Sequence, residues 1–179
     1  MATSPRRKKG RSHKRVPKRI IVLDIDGVLN CSHTPNPRKL PYIVDKRLLA
    51  RFRKLVARTR AGVVLSSSWR IDPVGCLAAR YWGIPFIDVS PDMPRSPRSA
   101  EIRRWLRAHP SVKRFVIIDD EDDGLDELPL FQPSRAGLTM PLVRGIEAYL
   151  KGATDRTMRA NRLKRLAQHA IGFFERNKD

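Results

Sequence analysis

From Arg19 onward the chain alternates short unbroken apolar runs with longer stretches in which apolar residues recur at helical spacing. RIIVL (19–23) is rich in β-branched residues, has the length of a strand buried on both faces, and runs into Asp24-Ile25-Asp26-Gly27. Residues 31–44 hold three prolines and polar turn formers, which predicts a loop with room for a short hairpin. Leu48, Leu49, Phe52, Leu55 and Val56 then predict a helix with Asp45 as its N-cap and Gly62 as its stop. GVVL (62–65) reads as a second buried strand leading into Ser66-Ser67-Ser68. A short helix over 73–83, a third strand in IPFIDV (84–89), and a Pro-rich loop over 90–99 follow. AEIRRWLRAH is a helix ended by Pro110, and KRFVIID (113–119) is a fourth strand opening into the acidic run DDEDDGLDE. Residues 129–140 are irregular with room for one short strand, 141–152 is a helix, and 154–176 a second, strongly basic helical stretch. The β-α-β-α order predicts a parallel sheet covered by helices on both faces.

Charge adds a partner to this picture. The 179 residues carry 37 basic and 18 acidic side chains, a net +19. Residues 1–19 hold nine Lys/Arg and no acid, and 151–179 hold eight basic and three acidic groups. The body, 20–150, is only mildly basic, with 20 against 15. The expected organisation is a disordered basic arm (1–18), one α/β domain (19–152) and a basic C-terminal helix (153–179). Such an arm is attracted to polyanions: RNA, DNA or an anionic membrane surface. No apolar run approaches the roughly 18 residues that span a bilayer, so no transmembrane helix is expected. The N-terminal stretch lacks the apolar core of a secretory signal. Two cysteines, Cys31 and Cys76, fit a reducing compartment rather than a disulfide scaffold: the cytoplasm, or the nucleus in a eukaryote.

Candidate chemistry gathers at strand ends. In parallel α/β sheets ligands bind beyond the carboxyl ends of the strands. There lie Asp24 and Asp26 after the first strand, Ser66–Ser68 after the second, and Asp119 and Asp120 after the fourth. A core strand rarely ends in two acids unless they are solvated or bind a cation. A hard ion such as Mg²⁺ takes carboxylate and carbonyl oxygens and keeps waters, leaving room for a phosphate. One aspartate could then attack phosphorus while its neighbour shuttles a proton.

VLDIDGVLN, VVLSSSWR and FVIIDD, in that order, resemble the first, second and fourth motifs of haloacid dehalogenase-like (HAD) phosphohydrolases. The resemblance covers about residues 19–150, and SSWR and IIDDEDD are most similar to the small HAD domains of RNA-repair proteins. It implies a Rossmann-like three-layer α/β sandwich with a parallel sheet and an aspartyl-phosphate mechanism dependent on Mg²⁺. Asp24 would be the nucleophile and Asp26 the general acid and base. The metal would be held by Asp24, the Asp26 carbonyl and the fourth-motif acids, Asp119 first, with Asp120 or Asp123 acting through water. Ser66 or Ser67 would bind the phosphoryl group. The usual third-motif lysine is absent; Arg98, near a helix start, is the best-placed substitute, with Arg95 as rival.

Asn30 is a candidate for positioning the loop after the first motif, and Trp69 and Arg70 for lining the entrance or for packing. About 35 residues separate Asp26 from the second strand and about 30 separate Ser68 from Arg98, too few for a cap domain. An essentially capless, open site joined to a basic arm points to RNA or DNA phosphate ends as substrate. The alternatives are a nucleotide or phosphoprotein phosphatase, or a non-catalytic nucleic-acid-binding protein on the same scaffold.

Overall fold

The computed structural model describes residues 16–152. Its strands are β1 (Arg19–Leu23), β2 (Gly62–Leu65), β3 (Asp88–Val89), β4 (Arg114–Ile118) and β5 (Leu130–Phe131). They form one wholly parallel sheet in the order β3-β2-β1-β4-β5. The central place of β1 explains its unbroken apolar run. Ile21 and Leu23 enter one core, Ile20 and Val22 the other, so neither face tolerates a polar residue.

The helices are α1 (Lys46–Thr59), α2 (Pro73–Tyr81), α3 (Arg98–Ala108) and α4 (Met140–Lys151). One face of the sheet packs against Leu48, Leu49, Phe52 and Leu55 of α1, Ala79 of α2, and Val143, Ile146 and Leu150 of α4. The opposite face is covered by Ile102 and Trp105 of α3, with Leu125 from the loop after β4. The result is the expected three-layer α/β sandwich. Among the described residues no inserted domain covers the carboxyl ends of the strands, and no helix is long and apolar enough to cross a membrane.

Local chemistry sets the boundaries. The Asp45 carboxylate accepts from the amides of Arg47 and Leu48 and starts α1 as expected. Arg60, in the left-handed region at φ 52°, ends the helix, while Gly62 already belongs to β2. The third strand is shorter than IPFIDV suggested. The Ile84 amide turns back to Ala79 O (3.0 Å) and the Phe86 amide to Ile84 O (2.9 Å), so the chain joins β2 only from Ile87, whose amide donates to Val63 O (2.9 Å), and the strand itself is Asp88 and Val89. No strand forms over 31–44. The Asn36 side chain instead closes a turn by bonding both the amide and the carbonyl of Leu40 (2.9 Å each). The basic arm expected over 1–18 lies outside the described residues except for 16–18, and the basic helix expected over 153–179 lies wholly outside them.

Candidate active site

β1 and β4 lie side by side, and their ends bring the acids together. The Asp24 amide still donates to Ile118 O (2.9 Å), which ties the first acid to the last residue of β4. The chain then folds into a tight turn, with the amides of Val28 and Leu29 both on Ile25 O. Gly27 sits in this turn at φ +68°, where a Cβ would lie 2.1 Å from Asp120 Oδ2. Only glycine lets the loop and the Asp120 carboxylate approach this closely. One oxygen from each of Asp24, Asp119 and Asp120 falls within 4.8 Å of the others. An all-carboxylate group of this kind fits a hard divalent cation.

Arg98 is the first residue of α3, and its Nη1 bonds both Asp24 Oδ1 (2.9 Å) and Asp119 Oδ2 (2.8 Å). Asp123 accepts the Arg98 amide (2.9 Å), so this acid anchors the start of α3. It is Asp120, rather than Asp123, that joins Asp24 and Asp119. Burial, followed by repulsion from Asp119, raises the Asp24 pKa to about 7 in spite of Arg98. Burial also raises Asp119 and Asp120, and Arg98 pulls Asp119 back. Burial is the leading cause at all three acids, and Arg98 offsets it only in part.

The side chain of Asp26 faces other partners. Its Oδ1 accepts from Asn30 Nδ2 (2.7 Å) and its Oδ2 from Trp69 Nε1 (2.8 Å). Asn30 also accepts the Gly27 amide (3.0 Å) and donates to Ile43 O (3.0 Å), locking the turn after β1. Trp69 is thus buried and bonded rather than an entrance wall. The Arg70 side chain is nearly covered as well. It reaches Ser66 O, Ser67 O and Ser90 O, and pairs with Glu101, holding the ends of β2 and β3 against α3.

The two candidate serines differ. Ser67 Oγ accepts the Trp69 amide (3.5 Å) and caps a single 3-10 turn, Ser68–Arg70. Ser66 is beside Asp24, its amide on Leu23 O (2.8 Å), and its fully buried Oγ has no hydrogen-bond partner among the described residues. An orphaned buried hydroxyl costs about 1–3 kcal/mol, so this one is suited to a bound oxygen. Arg95, the alternative to Arg98, sits in the Pro-rich loop at φ 66°, and only Arg98 bonds the acids.

Two contributions were invisible in the linear pattern. Gln132 Nε2 donates to Asp120 O (2.7 Å) from just beyond β5, and Trp69 reaches Asp26 across 43 residues. The SSWR run was the available signal for Trp69, but it did not reveal the partner. Beside the acids, Gly27, Asn30, Cys31, Asp120, Ser134 and Arg135 help line an open cavity of about 550 Å³.

A parallel sheet with β1 at its centre, two acids leaving β1 and two leaving the adjacent β4 defines an HAD-type hydrolase domain. The chain belongs to the family described as the HAD domain in Swiss Army Knife RNA repair proteins, whose model matches residues 20–143. No curated protein matches the chain.

Proposed function

We propose that this protein is a Mg²⁺-dependent phosphomonoester hydrolase that works through an aspartyl-phosphate on Asp24, with nucleic-acid phosphate ends as its substrate class. The observation that carries the reading is the convergence of Asp24, Asp119 and Asp120 within 4.8 Å. These carboxylates, with the Asp26 carbonyl, would hold the ion, which would supply charge neutralisation for the attacking carboxylate and the phosphoryl oxygens.

The rest is done by the chain. An Asp24 oxygen attacks phosphorus, the ester P–O bond breaks, and the leaving oxygen takes the proton of Asp26. A water then gives a proton back to Asp26 as its oxygen attacks the same phosphorus. The Asp24–phosphorus bond breaks, and inorganic phosphate leaves with both aspartates restored. Ser66 Oγ donates to a phosphoryl oxygen. Arg98 uses one Nη1 on the acids, which leaves its Nη2 and Nε to grip the phosphate as a fork. Trp69 and Asn30 hold the Asp26 carboxylate in one orientation. Support for a macromolecular end comes from the uncovered strand ends and from the family's occurrence in RNA repair proteins.

Phosphate release from an aryl phosphate with Mg²⁺ tests this directly. Asp24→Asn should abolish turnover, and Asp26→Asn should reduce it by about 10²–10⁴-fold. Equal turnover by wild type and Asp24→Asn would overturn the assignment.

A further inference from the structure

The amino ends of the strands, opposite the acids, carry a cavity of about 420 Å³ lined by Lys18, Arg19, Arg60, Lys113, Arg114 and Lys151, with no acidic side chain in its wall among the described residues. Three of these cations have structural work. Arg19 donates to Thr59 O (3.3 Å) and Arg114 to Tyr149 O (2.6 Å), satisfying the ends of α1 and α4, while Lys151 pairs with Glu147 (2.6 Å). Lys18, Arg60 and Lys113 are exposed and make no side-chain bond among the described residues. Three uncompensated cations from three separate segments repel one another, and folding has nevertheless gathered them round one hollow.

Both charged tails join the body here. Residues 1–15, with seven Lys/Arg and no acid, lead into Val16, two residues before Lys18. Residues 153–179, with seven Lys/Arg and three acids, continue from Gly152 in the cavity wall.

We infer that this basic pole binds the phosphodiester backbone of a single-stranded nucleic acid, at a site separate from the acids by the length of β1, roughly 15 Å. A lone small anion would use one or two cations. The continuation of charge into both flanking segments suits a polymer. A membrane surface is disfavoured, because among the described residues no exposed large apolar side chain lines the cavity to enter the bilayer interface. Recognition by charge alone predicts little dependence on base sequence and similar affinity for RNA and DNA.

The full chain is tested by fluorescence anisotropy on labelled oligonucleotides of about 20 nucleotides, from low to high salt. The triple variant Lys18→Gln, Arg60→Gln, Lys113→Gln should bind at least tenfold more weakly at 0.1 M salt. Three lost contacts should flatten the slope of log K against log salt by about two units. The charge-preserving variant Lys18→Arg, Arg60→Lys, Lys113→Arg should bind like wild type, which separates charge from folding. Unchanged affinity and slope in the neutral variant would overturn the proposal. So would a neutral variant that loses only its binding to phosphatidylserine vesicles. Aryl-phosphate turnover should be the same in all three proteins. The anisotropy needs no catalysis, so absent turnover in wild type would strike the hydrolytic reading while weakened binding of the neutral variant still supported this one.

Discussion

Asp26 receives one hydrogen bond on each carboxylate oxygen, from Asn30 and Trp69, and so cannot rotate freely. Trp69→Phe keeps the ring that meets Tyr42 edge-on at 4.9 Å but deletes the indole donor. The expected result is a kcat about tenfold lower with KM unchanged, because a misaligned acid–base group slows chemistry more than binding. Steady-state kinetics on an aryl phosphate decides this, and an unaltered kcat would make Trp69 a packing residue only. Gly27→Ala probes the neighbouring constraint. Its methyl would drive Asp120 away from Asp24 and Asp119 and would occupy a left-handed backbone. Mg²⁺ should then raise the melting temperature of this variant by less than it raises that of wild type. The DxDG run was legible because acids ending an apolar strand are chemically conspicuous. The Trp69 bond was not, since a tryptophan beside a strand looks the same whether it packs or donates, and its partner is remote in sequence.

Elements are most legible in the sequence where burial imposes a pattern. β1, β2 and β4 are covered on both faces, so their apolar runs mark them directly. β3 is an edge of two residues, and the amides of Ile84 and Phe86 before it serve the turn after α2 instead. How α3 is fixed to the sheet could not be seen, because both anchors join residues far apart in the chain. Asp123 binds the Arg98 amide across 25 residues, and Arg70 pairs with Glu101 across 31. The Arg70 and Glu101 side chains are 4% and 8% exposed, so removing one partner strands a buried charge and several carbonyls. Arg70→Ala should therefore cost about 3–5 kcal/mol in urea unfolding, well above a surface arginine such as Arg103, whose pair with Glu127 is exposed. A cost near that of Arg103→Ala would show that the clamp does not hold the sheet to α3.

At the scale of the whole molecule, charge is sorted by the direction of the strands. Acids stand at their carboxyl ends and unpaired cations at their amino ends. The sum +19 was plain in the composition, but the basic pole was not, because Lys18, Arg60 and Lys113 meet only after folding. The acidic pole has a thermodynamic consequence. Burial and Asp119 raise Asp24 from its ordinary 3.8 to about 7, so the native state holds a proton that the unfolded chain would release. That contribution to stability is complete below about pH 4 and is lost as pH rises through about 7. The loss is at most on the order of 4 kcal/mol. Asp119 and Asp120 are raised as well and act in the same direction. In chelator, Asp24→Asn should therefore melt higher than wild type at pH 8, and the gap should close by pH 4. Adding Mg²⁺ should reverse the order at pH 8, because a cation bound to the native acids stabilises wild type by mass action and the variant has lost one of its carboxylates. The same addition at pH 5 should shift wild type less, since a proton on Asp24 competes with the ion. Thermal melts of both proteins at the three pH values, with and without Mg²⁺, decide the matter. A Mg²⁺ shift that is equal for both proteins, or independent of pH, would place the ion elsewhere than on Asp24.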